Sequence, residues 1–295
     1  YGALVVEVEN NERYHLRNLR GDSQGVFVDL GEKYNGTKVT ESKLEALVFG
    51  DWHVGYTNKK VRRANYEQIT QLKPERIFLH DFFDGHCVAH HREGHLVTQQ
   101  IIEGADKGFL SLEQELTSCY EELVSLSKAM RGGDIYVVAS NHHDFLERYL
   151  DEGRFIKDPL NARIAFDLAK ALANGEDPVQ YGIGLLGRLP EKVHFLQREE
   201  DYRVKGFQLA SHGDKGPSGG RGSIVSKEND YGKSITGHVH STEILRDTYI
   251  VGTSTPLTLF YNRGTPTKWT NTNAMLWDNG SVQLVHSIMG KWRPK

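Results

Sequence analysis

The sequence predicts a layered α/β fold that follows a short β-rich lead-in. In the lead-in, apolar and polar positions alternate over residues 4–8 and 26–30, with Gly-Asp and Asn-Gly turn signals between and after them. Beyond it, short buried-type strands alternate with longer helical segments, which is typical of layered α/β folds. We therefore expect residues 1–40 to form the lead-in and residues 41–295 to form the main domain.

The main domain is expected to contain six short apolar core strands. These strands cover residues 44–49, 76–80, 135–139, 193–196, 207–211 and 234–236. Apolar residues at helical spacing predict helices over 60–72, 110–130 and 159–173, which places helical insertions at about 86–130 and 144–188. The chain then closes with a strand at 248–252 and a hairpin of strands 274–277 and 282–285, which an Asp-Asn-Gly turn joins.

Composition limits the classes of function. The net charge of −3 gives no global basic field, so a polyanionic substrate must be held by local lysines, arginines or metal ions. Cys87 and Cys119 lie in unrelated contexts, which argues against a disulfide framework and favours a reducing cytoplasm. No apolar run is long enough to span a bilayer, so we expect no membrane partner. The chain begins at Tyr1 inside a predicted strand, which is compatible with a piece of a longer protein.

Five of the six core strands run directly into a cluster of Asp, His or Asn residues. The clusters contain Asp51 and His53, Asp81 and Asp84, Asn141 to Asp144, His212 and Asp214, and His238 and His240. Carboxylate oxygen and imidazole nitrogen are the ligands that hold divalent cations for phosphate chemistry. Because catalytic groups of layered α/β folds collect at strand ends, the clusters predict one metal site.

The ordered clusters resemble the motifs D-x-H, GD-x-x-D, GNH-D/E, H and GH-x-H of the calcineurin-like metallophosphoesterase superfamily, over roughly residues 44–256. The resemblance implies a β-sandwich flanked by helices in αββα layers. It also implies two divalent metal ions, expected to be Mn²⁺, with Mg²⁺ or another transition metal as alternatives. The implied ligands are Asp51, His53 and His240 for one ion, Asn141, His212 and His238 for the other, and Asp81 as the bridge.

The resemblance also implies the reaction. A metal-bridging hydroxide would attack phosphorus, while His142 would protonate the leaving oxygen or stabilise the transition state. An imidazole can donate a proton at working pH, which supports this role independently. Asp84 matches the second acidic position of the family. We expect it to contribute to catalysis by contacting the metal ligands, rather than by binding a metal ion itself.

The sequence departs from the family pattern at two motifs. His80 and Ser140 stand where the family usually has glycine, and neither position is a metal ligand in the family. The acidic residue that normally follows the catalytic histidine is displaced to Asp144, with His143 in its place. Either of these two residues could orient His142.

Basic and histidine-rich segments beside the motifs are candidates for substrate contact. The basic candidates are Lys59, Lys60, Arg62 and Arg63 after the first motif, and Lys215 and Arg221 in the glycine-rich loop after His212. Such side chains can bind phosphate, although a charge run at a helix start is more often a solvated face. A second histidine group, His86, His90, His91 and His95, is expected to be exposed or to face substrate, with an extra metal site as the alternative.

The metal set predicts hydrolysis of a phosphate ester, but the substrate depends on residues outside the motifs. The basic run, the glycine-rich loop and the long insertion favour nucleic acid. The motif spacing and the insertions resemble those of SbcD-type DNA nucleases. The residues within the motifs resemble those of phage-encoded early DNases. That resemblance implies double-stranded DNA as substrate, a symmetric homo-oligomer, and the host cytoplasm as location. The alternatives are a nucleotidase or small-molecule phosphomonoesterase, and a non-catalytic binding scaffold.

Overall fold

The computed structural model describes residues 2–90, 105, 108, 110–198, 200–220, 222–259 and 262–294 of the 295-residue chain. Within these residues the α-helices are α1 (Lys59–Leu72), α2 (Leu112–Met130), α3 (Asn141–Asp151), α4 (Ala162–Ala173), α5 (Pro178–Leu185) and α6 (Ile224–Tyr231). None of these described helices has both the length and the apolar character that crossing a membrane requires.

The described strands fall into three sheets. They are β1 (Gly2–Asn10), β2 (Arg13–Arg20), β3 (Phe27–Asp29), β4 (Glu32–Asn35), β5 (Lys38–Glu41), β6 (Leu44–Phe49), β7 (Arg76–Leu79), β8 (Asp134–Val138), β9 (Val193–Leu196), β10 (Arg203–Val204), β11 (Phe207–Gln208), β12 (Ser234–Thr236), β13 (Glu243–Leu245), β14 (Thr248–Ile250), β15 (Thr272–Trp277) and β16 (Val282–His286).

The main sheet has eight strands in the order β1-β2-β16-β15-β6-β7-β8-β9. Strands β6 to β9 are parallel, with Leu47 beside Ile77, Ile77 beside Ile135, and Ile135 beside Val193. Their carboxyl ends therefore meet at one edge of the sheet, where side chains from different strands can come together. The hairpin of β1 and β2 extends the opposite side of the same sheet through β16.

The second sheet has five strands in the order β10-β11-β12-β14-β13, and the third is the small antiparallel sheet of β3, β4 and β5. Strands β11, β12 and β14 are parallel to one another. Helix α6 connects β11 to β12 and packs against β12, β13 and β14.

Two hydrophobic cores define the layers. Leu47 and Phe49 point from β6 into a core shared with helices α1 to α5. Ala46 and Val48 point from the other face of β6 into a core shared with the second sheet. All four side chains are fully buried, and burying a large apolar side chain contributes about 1.5–3 kcal/mol. The fold is therefore a mixed α/β structure in which the main sheet lies between a helical layer and a second sheet.

The predicted strands at 44–49, 193–196 and 234–236 are confirmed with the predicted bounds. The strand predicted over 207–211 is wrong beyond Gln208, because the side-chain oxygen of Gln208 accepts the N–H of Ala210 and turns the chain out of the ladder. The helix predicted from 159 begins at Ala162, because the carbonyl of Asp158 accepts the N–H groups of Asn161 and Ala162 in a preceding turn.

Some elements differ from the sequence-based prediction. Helix α3 starts at Asn141, three residues before the helical insertion expected from 144, and Ser140 caps it by accepting the N–H of His142. Strands β2, β4 and β5 were also missed. The domain boundary near residue 40 stays a prediction, although β1 and β2 belong to the main sheet.

Candidate metal centre

The predicted ligands converge at the carboxyl ends of strands from both sheets. Asp51 follows β6, Asp81 follows β7, and Asn141 begins the helix after β8. His212 follows β11, and the His238–His240 segment follows β12. Parallel strands present their carboxyl ends at one edge, so residues that are far apart in sequence meet there.

One group of candidate ligand atoms comes from Asp51, His53, Asp81 and His240, which are buried and lie within 4.8 Å of one another. The Nε2 atoms of His53 and His240 are 3.1 Å apart. His240 Nε2 also lies 3.1 Å from Asp51 Oδ2, and His53 Nε2 lies 3.6 Å from Asp81 Oδ2. Two imidazole nitrogens and two carboxylates aimed at one point can hold a divalent cation.

A second group shares Asp81 with the first. Ligand atoms of Asp81, His212 and His238 also lie within 4.8 Å of one another, and His212 Nε2 is 3.2 Å from Asp81 Oδ2. Asn141 lines the same cavity as Asp81 and His238. Because Asp81 belongs to both groups, the buried cluster is compatible with a dinuclear metal site.

Buried oxygens without partners test whether these residues fit cations. Asp51 Oδ1, Asp81 Oδ1 and Asn141 Oδ1 are buried and accept no hydrogen bond from the part of the chain that the structure describes. Leaving a buried carboxylate oxygen unpaired is costly, and a bound divalent cation relieves that cost. The donor set of carboxylate, amide and imidazole therefore fits hard or borderline divalent metal ions.

The backbone at the site is strained. His53, Asp81, His238 and His240 have φ angles of 48°, 43°, 81° and 58°. For non-glycine residues this left-handed region costs on the order of 1–3 kcal/mol each, and such strain clusters at functional sites. Backbone hydrogen bonds hold the conformation: His53 N–H donates to Asp81 O at 2.8 Å, and His238 N–H donates to Asp51 Oδ2 at 2.8 Å.

Two glycines permit close approaches within the site. A Cβ atom on Gly237 would lie 2.1 Å from Asp51 Oδ1, so a side chain there would displace a candidate ligand. A Cβ atom on Gly50 would lie 2.7 Å from the backbone of Gly252. Both glycines are therefore required by packing against neighbouring backbone and ligand atoms.

Asp84 contacts both histidines on one side of the site. Its Oδ1 accepts a hydrogen bond from His53 Nδ1 at 2.7 Å, and its backbone carbonyl accepts one from His142 Nδ1. Both acceptors require a proton on Nδ1. These hydrogen bonds hold each ring with Nε2 toward Asp81, and Asp81 Oδ2 lies 3.6 Å from Nε2 of His53 and 3.8 Å from Nε2 of His142. His53, Asp84 and His142 also have ligand atoms within 4.8 Å of one another.

Neither His143 nor Asp144 contacts the ring of His142 through a described hydrogen bond. Both ring nitrogens of His143 are buried without a hydrogen-bond partner among the described residues. Asp144 instead pairs with Arg198 at 2.9 Å and with Lys215 at 3.4 Å. The residue that orients His142 is therefore neither of these two candidates but Asp84, through its backbone carbonyl.

The electrostatics of the cluster favour charged carboxylates. Burial raises the pKa of Asp84, but the hydrogen bond from His53 outweighs it and lowers that pKa below its usual value. Burial opposes protonation of His53, yet Asp84 and Asp81 together raise its pKa to about 9. Burial and the neighbouring His212 lower the pKa of His80 to about 3. His80 is therefore a neutral ring packed beside His212, with their Nδ1 atoms 3.4 Å apart.

The cavity over the site has a volume of about 560 Å³. Five candidate ligands line it, as do Asp84 and His142, and the other lining residues are Tyr56, His86, Ala89, Phe145, Val239, Leu259 and Trp269. Sequence reasoning missed the three large aromatic residues. Tyr56 and Phe145 each follow a site histidine by three residues, which is a weak signal, whereas Trp269 has no signal in the sequence.

The second histidine group is only partly described. His86 lines the cavity, and the ring of His90 lies 5.6 Å from that of Phe145. His91 and His95 lie outside the described residues.

The basic candidates do not line this cavity in the described part of the chain. Arg62 pairs with Glu122 at 2.8 Å, and Arg63 lines a separate cavity of about 910 Å³. Lys59 and Lys60 are exposed at the start of α1. Arg221 lies outside the described residues.

Glu115 is a buried residue that the sequence did not single out. Its carboxylate accepts the N–H of His86 at 3.1 Å, and the N–H and S–H of Cys87 at 3.4 Å and 3.0 Å. These bonds fix the turn that follows Asp84. Burial and the nearby Asp84 raise the pKa of Glu115 to about 7.

Arg198 is a second residue that sequence reasoning missed. Its guanidinium binds Asp214 at 2.8 Å and Asp144 at 2.9 Å. Asp214 follows His212 by two residues, and Asp144 lies in the first turn of α3 beside Asn141. Arg198 therefore ties together two segments that carry candidate ligands.

Comparison with known proteins gives one match. The chain is 27% identical over 312 aligned residues to Protein A1 of Escherichia phage T5, and the alignment covers 99% of this chain and 55% of that protein. The chain therefore spans about half the length of the curated relative that it matches. No family model and no solved structure matches the chain. The name of that relative states no activity.

Proposed function

We propose that this chain is a dinuclear-metal-dependent phosphodiesterase. The observation that carries the proposal is the position of Asp81, whose carboxylate belongs to two groups of candidate ligand atoms at once. A carboxylate shared by two cation sites can hold two ions close together, as two-metal hydrolysis of phosphate esters uses them. The strained backbone at four candidate ligands and the unpaired buried oxygens support the same reading.

The residues divide by role. The candidate ligands are Asp51, His53 and His240 for one ion, Asn141, His212 and His238 for the other, and Asp81 for both. Bound ions would activate a water molecule as nucleophile and neutralise the charge of the phosphate. His142 lines the cavity beside the candidate ligands, with Nε2 3.8 Å from Asp81 Oδ2, where it can hold a proton or donate one to the leaving oxygen. The carbonyl of Asp84 orients the His142 ring through Nδ1.

We propose DNA as the substrate class, with Mn²⁺ as the working metal. The motif order supports this proposal through its resemblance to DNA nucleases, and the similarity to a phage protein agrees with the resemblance of the motifs to phage-encoded early DNases. On this proposal the protein works as a homo-oligomer in the host cytoplasm. Lys59, Lys60 and Lys215 are exposed cationic side chains that can contact phosphates outside the cavity.

A nucleotidase is the second candidate, and the shape and charge of the cavity favour it. A volume of about 560 Å³ suits a ligand of nucleotide size, and no Lys or Arg is among the described residues that line it. A nuclease that tracks a duplex needs cations along its groove. The two candidates therefore differ in what they hydrolyse, and they share the metal centre.

One set of assays tests the reaction and the substrate together. Purified protein is incubated with Mn²⁺ or Mg²⁺ and with supercoiled DNA, linear DNA or para-nitrophenyl phosphate. Cleavage of DNA that EDTA abolishes supports the nuclease, and turnover of the monoester alone supports the nucleotidase. Inactivity on all substrates with either metal, in protein shown to be folded, would contradict the proposed enzyme and favour a binding scaffold.

The matched variants are Asp81→Asn and Asp167→Asn. The first removes charge from the shared carboxylate, and the second removes charge from an exposed residue of α4. We expect the first variant to lose activity and metal binding and the second to keep both. Equal activity of the two variants would remove Asp81 from the mechanism.

A further inference from the structure

We propose that the cavity at the metal centre binds an unpaired nucleobase against an aromatic wall formed by Tyr56, Phe145 and Trp269. This inference rests on the proposed function and names the substrate more closely. The ligand is a nucleotide whose base is not stacked in a duplex. It can be supplied by a single-stranded or frayed end of a nucleic acid or by a free mononucleotide.

Each ring of the aromatic wall adjoins an imidazole of the site. The ring centroid of Trp269 is 4.3 Å from that of His240. Phe145 is 4.8 Å from His142, and Tyr56 is 5.1 Å from His86. All three rings line the same cavity as Asp81. A phosphate at the candidate ligands would therefore place its own nucleoside within reach of the aromatic wall.

The backbone fixes the wall to the candidate ligands. Tyr56 N–H donates to the carbonyl of His53 at 2.8 Å, and Thr270 N–H donates to the carbonyl of His240 at 3.1 Å. Phe145 lies on α3, one turn after the residues that begin it. The aromatic wall and the ligands are thus parts of the same local structures, which sets a fixed distance between base and phosphate.

The three rings differ from the other aromatic residues of the same motifs. Trp52, Phe82 and Phe83 also stand between or beside candidate ligands, but they are fully buried and belong to the helical core. Tyr56, Phe145 and Trp269 are only half-buried and line the cavity. The core encloses the first set completely, whereas all three rings of the second set line the cavity, and Phe145 also packs against the edge of the helical core.

The charges around the cavity favour recognition through the base. No Lys or Arg lines the cavity among the described residues. The nearby Arg198 is held by Asp144 and Asp214. A duplex presents two lines of phosphates and needs many cationic contacts, while single strands are bound largely by stacking bases on aromatic side chains. The composition of the lining therefore fits an unpaired base.

The test measures binding without turnover. An oligonucleotide with 2-aminopurine at its 5′ or 3′ terminal position is titrated with protein in Ca²⁺ in place of the working metal, with gel electrophoresis to show that the strand stays intact, and fluorescence quenching reports stacking. The competitors are the same strand with an abasic end, a blunt duplex, and 2-aminopurine riboside monophosphate. We expect quenching, and binding at least about tenfold tighter for the unpaired base than for the abasic strand or the duplex.

The competitor also identifies the source of the base. If the free monophosphate binds as tightly as the strand end, the aromatic wall reads a mononucleotide. Tighter binding of the strand end assigns the nucleic acid. Equal affinity for the base-containing and abasic strands, without quenching, would overturn the proposal.

Variants locate the binding surface. Trp269→Ala and Tyr56→Ala should each weaken binding by about tenfold to a hundredfold, and Trp269→Phe should recover part of the loss. Phe166→Ala is the control, because Phe166 is 61% exposed on α4 and does not line the cavity. Wild-type affinity in both alanine variants, with unchanged melting temperatures, would show that the aromatic wall does not bind the base.

The two proposals can fail separately. Base-selective binding without hydrolysis in Mn²⁺ or Mg²⁺ would contradict the proposed enzymatic function and support the proposed base-binding site. Hydrolysis of DNA without preference for an unpaired base would do the reverse.

Discussion

Asp84 Oδ1 accepts a hydrogen bond from His53 Nδ1 at 2.7 Å, and this contact fixes which nitrogen of His53 faces the metal centre. A bound cation would select the neutral form of the His53 ring, and with the remaining proton on Nδ1 the lone pair of that form is on Nε2, which points toward Asp81 and His240. A carboxylate that orients a ligating imidazole is a common arrangement around metal ions in proteins.

The first prediction concerns Asp84 itself. Asp84→Ala frees the His53 ring and removes charge beside the site, so we expect metal affinity to fall by about 10- to 100-fold. Isothermal titration with Mn²⁺ measures the change. Asp167→Asn, on the exposed face of α4, is the control and should bind as the wild type does. Unchanged Mn²⁺ affinity in Asp84→Ala would mean that the hydrogen bond from His53 to Asp84 does not contribute to metal binding.

The second prediction separates metal binding from proton transfer. His142 is held through Nδ1 by a carbonyl, and its Nε2 lies 3.8 Å from Asp81 Oδ2. His142→Ala should therefore keep both metal ions and lose about 10²- to 10⁴-fold in the rate of hydrolysis. Metal content by mass spectrometry and the rate on DNA are measured on the same preparation. Loss of metal in step with the rate would make His142 a ligand.

The third prediction concerns Gly237. A Cβ atom there would lie 2.1 Å from Asp51 Oδ1, so Gly237→Ala should displace Asp51 and reduce metal affinity. The matched control is Gly184→Ala on α5, where nothing lies within 4 Å of the added Cβ atom. That variant should be neutral or slightly stabilising, since alanine is favoured over glycine in helices. Calorimetric titration compares the two variants, and equal metal affinity would show that the Gly237 contact relaxes without cost.

The fourth prediction concerns the pH dependence of stability. Burial and Asp84 raise the pKa of Glu115 from its usual 4.5 to about 7. The folded protein then binds the Glu115 proton more tightly than the unfolded chain does, so this residue lowers the free energy of unfolding as pH rises from about 4.5 to about 7.

Glu115→Gln cannot ionise, and its single side-chain oxygen can accept either the hydrogen bond from His86 or those from Cys87, which the two carboxylate oxygens of Glu115 accept separately. Its free energy of unfolding should fall less than that of the wild type between pH 5 and pH 7, as measured by urea denaturation in EDTA. Glu113→Gln, in the first turn of the same helix and exposed, serves as the control. Parallel pH profiles of wild type and Glu115→Gln would argue against a raised pKa.

The fifth prediction concerns Arg198, which binds Asp144 and Asp214 with a side chain that is 22% exposed. Arg198→Ala leaves both carboxylates without this partner, so we expect a loss of about 1–3 kcal/mol in the free energy of unfolding. Arg203→Ala is the control. Arg203 pairs with the exposed Asp201, and such surface pairs contribute about 0–1 kcal/mol. Chemical denaturation of the two variants gives the comparison. Equal losses in the free energy of unfolding would show that Arg198 contributes no more than an exposed surface pair.

The motifs were predictable because each ligand pair is local. Asp51 and His53, or His238 and His240, are two residues apart directly after a short apolar strand, and parallel strands bring such ends together whatever the loop lengths. The prediction that the clusters meet at one edge needed only strand order and polarity. The shared position of Asp81 between the two groups is consistent with what the motif order implied.

The contacts that orient these residues were not predictable from spacing. Glu115 reaches the turn after Asp84 from a helix about thirty residues later, and Arg198 joins segments that are far apart along the chain. Nothing near either residue in sequence marks it as part of the site. Their partners are chosen by how α2 and the strands pack.

The sequence by itself determined the α/β class, the strands that carry polar ends, and the residue types available to bind metal, because these depend on local periodicity and local chemistry. Only the tertiary structure decided that the Asp84 carbonyl orients His142, that Arg62 turns to Glu122, and that Trp269 lies against His240. These are long-range contacts that depend on how whole helices and strands pack together. The local sequence around each residue does not predict that packing.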